Sequence, residues 1–123
     1  MKMITVYRVQ NAEGYGPYSG ATAVSDDPKW VVQGNHIEPK DDTFQGNIDP
    51  DEVCAFSSVH SARKWFSRDL VDILSNDTED EWYFAMYQVP FNKMRSGNHQ
   101  VLAYADDMVY CDAVPVSMLY IED

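Results

Sequence analysis

An arginine near the end of the first apolar segment is followed by a glycine-rich aromatic turn. Arg8 lies in segment 4–9, which reads Ile-Thr-Val-Tyr-Arg-Val, and the turn over 13–20 reads Glu-Gly-Tyr-Gly-Pro-Tyr-Ser-Gly. Glycine allows a backbone to approach a ligand closely or to make a tight turn at positive φ. The pairing therefore indicates a small nucleotide pocket. The alternative is a hairpin corner in which Arg8 pairs with a loop carboxylate, because an unpaired buried charge is costly.

Further polar residues lie at the ends of predicted elements. Ser57 and Ser58 stand where a short strand is followed by a helix, and Gln100 opens a late strand. Serine is a preferred helix N-cap, so Ser58 also has a structural interpretation. Gln100 likewise has a structural interpretation, in which its side chain only faces solvent. The sequence has no phosphate loop, nucleophile elbow or H-E-x-x-H motif. The three histidines lack zinc-ligand spacing, so we predict no metal site and leave open whether the protein is an enzyme.

Acidic residues outnumber basic ones by 20 to 9, which gives a net charge of -11. The acids form short clusters in predicted loops, among them Asp-Thr-Glu-Asp-Glu at 77–81. This charge argues against direct binding to nucleic acid or to an anionic membrane. It permits a basic protein as partner. Charge runs of this length are also typical of solvated loops, and both interpretations stay open.

A chain of 123 residues fits one domain, which we place over 1–123. No apolar stretch is long enough to span a membrane, and residues 1–20 lack the pattern of a signal peptide. These features predict a cytoplasmic protein. Cys54 and Cys111 belong to no C-x-x-C motif, so we expect both to be reduced and structural.

The elements that must position these residues follow from hydrophobic periodicity. Alternation predicts a first strand over 3–9. Residues 11–52 are rich in Gly and Pro and predict a long loop with a short helical turn over 27–33. Apolar residues at three- and four-residue steps predict one principal helix over about 58–75. We expect further strands over 53–56, 82–89, 100–104, 108–111 and 114–121, with a loop over 91–98.

This order of elements predicts an α+β fold with a mainly antiparallel sheet. The sheet is either continuous or split into two packed sheets. The helical stripe and the aromatic strand over 82–89 supply the expected core. Its predicted members are Phe56, Val59, Ala62, Phe66, Leu70, Phe84, Met86 and Val101.

Taken in order, these features resemble the ADP-ribosyltransferase-like domains of the arginine, serine, glutamate type. An arginine ends the first strand, a serine closes a strand that opens a helix, and a polar residue starts a late strand. The stretch Ala-Phe-Ser-Ser at 55–58, then Ala62 and Trp65-Phe66, and the strand over 83–90, are similar to the middle of that family. The likeness covers about residues 4–9 and 53–105.

The resemblance implies that Arg8 holds a phosphate of NAD and that Ser57 or Ser58 braces the nicotinamide pocket. It places Gln100 at the position of the catalytic glutamate. Glutamine carries no charge and stabilises an oxocarbenium-like centre poorly, so the implied nucleotide-binding domain can be catalytically inactive. Residues of the glycine-rich turn are expected to complete the cofactor site: Tyr15, Gly16 and Tyr18.

The combination of Tyr-Arg-Val at 7–9 with Gly-Pro-Tyr at 16–18 also resembles small uncharacterised phage proteins. It suggests a second hypothesis, an acidic phage-type inhibitor or interaction protein that binds a basic host protein surface. Close acid pairs can imitate successive phosphates of a nucleic acid, and charge of opposite sign speeds association. The expected partner is thus either a nucleotide-type small molecule or a basic protein. A nucleotide site needs a neutral or basic cleft around Arg8, whereas a mimic needs acids gathered on one face. The oligomeric state stays open.

Overall fold

The computed structural model describes residues 2–16, 51–77, 80–97 and 100–120. Within these ranges the chain has the predicted α+β class. Its strands and helices are, in chain order, β1 (Met3–Asn11), β2 (Glu52–Ala55), α1 (Val59–Trp65), α2 (Arg68–Ser75), β3 (Trp82–Pro90), β4 (Met94–Ser96), β5 (Val101–Tyr104) and β6 (Val109–Pro115). Short 3₁₀ helices follow β3, β5 and β6, and the last of them, Val116–Tyr120, is here named the 116–120 helix.

The described strands form two antiparallel sheets, which confirms the split version of the predicted sheet. The first sheet has the order β1-β3-β6 and the second has the order β2-β5-β4. Strand β1 pairs with β3 from Met3 opposite Pro90 to Asn11 opposite Trp82. Strand β6 pairs with the other side of β3. The aromatic strand that the sequence predicted is therefore the centre of the first sheet.

An isolated backbone bridge connects the two sheets. Tyr7 of β1 and Phe56 exchange backbone hydrogen bonds with N···O distances of 2.8 and 2.7 Å. Alternate residues of a strand point to opposite faces, and β1 buries both of its faces. Val9 belongs to a large apolar cluster and Val6 to a smaller one. Arg8 shares the face of Val6 by this period of two.

The larger cluster packs both α-helices and the 116–120 helix against one end of the first sheet. Its buried members are Val9, Phe56, Ala62, Trp65, Phe66, Leu70, Val71, Leu74, Trp82, Val116 and Leu119. The smaller cluster packs β1 and β3 against the second sheet, and its buried members are Val6, Ala55, Val89, Val101 and Ala103. Burial of these apolar side chains is the main favourable term in folding.

The predicted single helix over 58–75 is wrong, because the structure divides it into α1 and α2. Phe66 ends α1 in an extended conformation, with φ of -101° and ψ of 102°. Ser67 then starts α2 as its N-cap, and its Oγ accepts a hydrogen bond from the Leu70 N–H at 3.3 Å. The apolar stripe continues across the break, since Phe66 and Leu70 are both buried.

Tyr120 stabilises this junction from the 116–120 helix. The last carbonyl groups of a helix have no partner within the helix. The Tyr120 hydroxyl lies 2.8 Å from the carbonyl of Arg63 and also contacts the carbonyl of Phe66. The Arg63 Nε donates in turn to the carbonyl of Leu119 at 2.8 Å. A distant segment thus satisfies backbone groups that the break leaves open.

One residue of the predicted core lies at the surface. Met86 is 37% exposed, whereas Val59 and Phe84 are partly buried. The larger cluster covers the end of the sheet marked by Val9, and Met86 lies opposite Tyr7, away from that end. The other predicted core residues are buried: Phe56, Ala62, Phe66, Leu70 and Val101.

The predicted loop over 91–98 and the two predicted C-terminal strands also differ from the structure. The expected loop over 91–98 contains β4, which pairs with β5. The expected strands over 108–111 and 114–121 become one strand that ends at Pro115, followed by the 116–120 helix. Proline has no N–H for a ladder. Val116 and Leu119 are both buried at a spacing of three, which suits a 3₁₀ helix.

Most of the predicted loop over 11–52, including the helical turn expected over 27–33, lies outside the described residues. The parts of the chain that the structure describes contain no helix with the length and hydropathy needed to cross a membrane.

Candidate functional site

A cleft of about 240 Å³ lies between the end of α2, the start of β3 and the 116–120 helix. Its apolar lining includes Leu74, Trp82 and Val116, all of them buried. Its polar lining includes three carboxylates, Asp77, Asp80 and Glu81, together with Ser75, Tyr83 and Ser117. The described lining residues include no Lys, Arg or His. We name this feature the acidic cleft.

Each of the three carboxylates is held by a hydrogen bond. Asp77 Oδ2 accepts from the indole Nε1 of Trp82 at 2.8 Å. Asp80 Oδ1 accepts from Asn11 Nδ2 at 3.1 Å. A carboxylate has about four acceptor positions, so one hydrogen bond does not use its whole capacity to accept.

The third carboxylate changes the chemistry of a neighbouring phenol. The Tyr83 hydroxyl donates to Glu81 Oε2 at 2.6 Å. This hydrogen bond, and then the negative charge of Glu81, raise the pKa of Tyr83 above its ordinary value. The phenol therefore keeps its proton and stays a donor to Glu81, which holds that carboxylate at the side of the cleft.

Asn11 fixes the loop that carries the acids. Its side chain is almost fully buried at 2% exposure. Its Oδ1 accepts from the N–H groups of Glu13 and Tyr15 at 3.0 and 2.9 Å, while its Nδ2 donates to Asp80. Asparagine commonly organises turns in this way. Asn11 thus joins the turn after β1 to the acidic cleft. Sequence reasoning did not select it, although an Asn three residues before a Gly after a strand is a turn signal.

Arg8 lies against the turn that the sequence paired with it. Its guanidinium donates to the carbonyl of Cys54 at 2.8 Å and to that of Gly14 at 3.3 Å. Both hydrogen bonds found in the described part of the chain go to main-chain oxygens, and none goes to the carboxylate of the alternative interpretation. Burial lowers the pKa of Arg8, and Cys54 and Tyr87 oppose that shift. The group remains charged at neutral pH, since arginine titrates far above it.

Two glycines of the turn have structural roles: Gly14 adopts a positive φ, and Gly16 lies close to the Arg8 guanidinium. Gly14 has a positive φ of 91°, a conformation that other residues rarely adopt. A Cβ on Gly16 would lie 3.2 Å from the Arg8 guanidinium. Tyr15 is 44% exposed, and Tyr18 lies outside the described residues. The structure therefore brings Arg8, Gly14 and Gly16 together.

The other predicted site residues have separate surroundings. Ser58 caps α1, and its Oγ accepts from the Ser61 N–H at 3.0 Å. Ser57 is exposed. Gln100 is buried at 4% exposure, and its main-chain oxygen accepts from the Gly97 N–H at 2.8 Å. None of the described hydrogen bonds of Arg8 reaches these residues.

A second buried charge is paired within the second sheet. Arg95 donates from Nε and from a terminal nitrogen to the two carboxylate oxygens of Glu52, at 2.9 and 2.8 Å. The Glu52 side chain is only 4% exposed. This forked pair spans β5 and is a structural link between β2 and β4. The described residues include no group of three or more His, Cys, Asp or Glu positioned to hold a metal ion.

Comparison with known protein families gives a match over most of the chain. A family model described as bacteriophage T4 Y00F protein matches residues 1–117, so the chain belongs to that family. The resemblance to small phage proteins is thereby confirmed at the level of the family. No curated protein and no solved structure matches the chain.

Proposed function

We propose that this member of the bacteriophage T4 Y00F protein family is an interaction protein that binds a basic protein surface of its host through the acidic cleft. The observation that carries the proposal is the placement of Asp77, Asp80 and Glu81 around one cleft that has no basic lining residue among those described. Carboxylates form strong hydrogen bonds with lysine and arginine side chains. The net charge of -11 would also steer a basic partner toward the molecule.

Nucleic-acid mimicry is the specific form of this proposal. A protein surface that binds nucleic acid presents lysine and arginine side chains to successive phosphates. Asp80 and Glu81 are adjacent in sequence, and hydrogen bonds with Asn11 and Tyr83 hold their carboxylates. Carboxylates held in this way lose little side-chain entropy on binding, which favours affinity.

Calorimetric titration with a synthetic peptide that alternates arginine with valine tests the proposal. We expect the double variant Asp80→Asn/Glu81→Gln to bind the peptide about tenfold more weakly than the unaltered protein. The matched control is Asp106→Asn/Asp107→Asn, which removes the same charge from a turn after β5. Equal affinities of the two double variants would contradict a role for the cleft. A peptide with glutamine in place of arginine should not bind.

The nucleotide-binding hypothesis is the second candidate, and the nearness of Arg8 to Gly14 and Gly16 is what favours it. NAD is the ligand it names, with Gln100 in place of a catalytic glutamate. The guanidinium already donates to two carbonyl groups, so phosphate would have to use its remaining donors. Titration with NAD, followed by the amide NMR signals of Gly14 and Gly16, tests this candidate. Unchanged signals at millimolar NAD would exclude it.

A further inference from the structure

Strand β6 has a free edge in the part of the chain that the structure describes. It pairs with β3 on one side, and no described strand pairs with its other side. Most of its residues are exposed, and Val109 and Tyr110 are 57% and 55% exposed. An edge strand offers a row of N–H and C=O groups to another chain. The edge of β6 therefore has the form of a site for strand addition.

A side chain of β6 satisfies one main-chain group on the free edge of this strand. The Ala113 N–H donates to Asp112 Oδ1 at 2.8 Å. In an antiparallel pair, the N–H and C=O of a residue either both face the neighbouring strand or both face away from it. The Ala113 N–H bonds to a side chain of its own strand, so it faces away from β3. The contact between Asp112 and Ala113 is exposed, so an incoming strand can replace it.

The negative charge of Asp112 on β6 favours a basic incoming strand over a second copy of this chain. A second copy of this chain would bring its own edge Asp112 and a second net charge of -11 to the pair. Like charges opposed across strands are destabilising. A charged side chain on an edge is also a device that prevents self-pairing. A basic strand meets no such repulsion.

The edge also runs directly into the acidic cleft. Pro115, the last residue of β6, lines the cleft, and the next two residues, Val116 and Ser117, line it as well. A chain that extends along β6 would therefore reach the wall of the cleft formed by Pro115, Val116 and Ser117. The exposed apolar side chains of Val109 and Val114 would meet alternate side chains of the incoming strand.

We propose that the partner binds as an added β-strand on β6, in an extended segment that alternates basic and apolar residues and places a basic side chain in the acidic cleft. This inference rests on the proposed function and specifies the structure of the partner. Main-chain hydrogen bonds supply affinity, and the cleft supplies selectivity for arginine or lysine. The contact of Asp112 with Ala113 opens on binding and leaves the Asp112 carboxylate available to a basic side chain.

Hydrogen–deuterium exchange on the unaltered protein tests the inference with the arginine–valine peptide as probe. We expect exchange of the Ala113 amide to slow at least about tenfold when the peptide is bound, because the amide then donates to the added strand. Two further peptides serve as controls: one is N-methylated at every valine and the other at every arginine. Each therefore lacks the main-chain N–H donors along one edge of the peptide strand, while its net charge is unchanged. One of the two should bind at least about tenfold more weakly than the parent peptide.

A matched pair of variants examines the same group. Ala113→Pro removes an N–H that does not pair with β3, whereas Ala113→Gly keeps it. We expect the proline variant to bind the peptide about tenfold more weakly and the glycine variant to bind within about twofold of the unaltered protein. If the proline variant fails to fold, the methylated peptides and the exchange measurement still test strand addition on β6.

The outcomes separate the two proposals. Peptide binding that depends on Asp80 and Glu81 but leaves Ala113 exchange unchanged, with both methylated peptides equal to the parent, would overturn strand addition and leave the proposed function standing. Absence of any binding by the parent peptide would overturn both.

Discussion

Arg8 and Asn11 are two polar residues of β1 whose side chains organise the main chain around them. Arg8 joins the carbonyl of Cys54 in β2 to that of Gly14 in the turn. Asn11 bonds two N–H groups of the same turn and the carboxylate of Asp80. A buried polar group without a partner is costly, so the part-buried hydrogen bonds of Arg8 with Cys54 and of Asn11 with its three partners contribute to stability. Arg8 is thus a link between the two sheets as the structure stands.

Replacing Arg8 by methionine tests this structural role. Arg8→Met keeps most of the side-chain volume but leaves the Cys54 and Gly14 carbonyls without their donor. We expect a loss of about 1–3 kcal/mol in the free energy of unfolding, measured by urea denaturation. Lys64→Met is the control, since Lys64 is exposed on α1 and its loss should change stability by less than about 0.5 kcal/mol. A stability of Arg8→Met equal to that of the control would show that these hydrogen bonds contribute nothing.

Tyr83 provides a pH-dependent signal from the acidic cleft. Its pKa is raised by the hydrogen bond to Glu81 and by the charge of that residue. Because the folded state holds the phenol proton more tightly, this contact contributes stability below the ordinary tyrosine pKa near 10. The contribution is lost as the pH rises through the raised value. We expect Glu81→Gln to lower the pKa of Tyr83, as followed by NMR of its ring.

Tyr120 is the internal control for this titration. Burial raises its pKa, and Arg68 and Arg63 oppose the shift, so its value does not depend on Glu81. The Tyr120 signal should therefore titrate alike in the unaltered protein and in Glu81→Gln. An equal displacement of both signals would indicate a general change of the fold in place of a local loss of the hydrogen bond.

The two α-helices show how caps divide a single apolar stripe. Ser58 and Ser67 each accept a hydrogen bond from an N–H three residues later, at 3.0 and 3.3 Å. Both serines adopt extended backbone conformations, as N-cap residues do. The break between the helices leaves Trp65 and Phe66 both buried, although they are adjacent in sequence. Capping and packing together therefore favour two short helices over one long helix.

Variants of Ser58, the serine that precedes α1, test whether its side chain stabilises the protein as a helix N-cap. Ser58→Ala should lower the free energy of unfolding by about 1 kcal/mol because the Ser61 N–H loses its acceptor. Ser58→Asp should restore most of this loss, since aspartate is also a good N-cap. Chemical denaturation of both variants is the measurement. Ser57→Ala is the control, as Ser57 is exposed and should be neutral. Equal stability of Ser58→Ala and Ser58→Asp would contradict the cap.

Elements with a long, regular pattern could be predicted from the sequence, and short or interrupted ones could not. The stripe from Ala62 to Leu70 identified the buried helical face, and aromatic content identified β3. The junction at Ser67 is contacted by Tyr120, which is far away in sequence and meets it only in the folded chain. Strand β4 has three residues and exists because β5 lies beside it. A local pattern carries no information about such distant contacts.

The candidate site was predictable only in part, for the same reason. The sequence placed Arg8 beside the glycine-rich turn, because both belong to one continuous segment. It also identified the acid run over 77–81. It could not place Asn11 against Asp80, which is a contact between residues 69 positions apart. The lining contributed by Val116 and Ser117 follows from the turn of the chain after β6, where sequence reasoning expected a strand.

At the scale of the whole molecule, charge and exposed backbone lie next to one another. The acidic cleft stands at one end of β6, and the exposed residues Val109 and Tyr110 stand at the other. Basic residues are few in this chain, and Arg8 and Arg95 among them are bound to carbonyl groups or to Glu52. The described lining of the cleft therefore carries only negative charge, and under the proposed function this charge would speed association with a basic partner.

Association kinetics measure the effect of that potential directly. Asp77→Asn/Asp80→Asn/Glu81→Gln should slow association with the arginine–valine peptide more than it speeds dissociation, because long-range attraction acts mainly on the encounter. For the unaltered protein, raising ionic strength should slow association steeply, since charges separated by more than about 8 Å are screened at physiological salt. The triple variant should show a smaller salt dependence. Stopped-flow measurement at low and high salt compares them. Association rates that are equal for both proteins at every salt concentration would mean that these carboxylates are solvated charges of a loop and do not attract a partner.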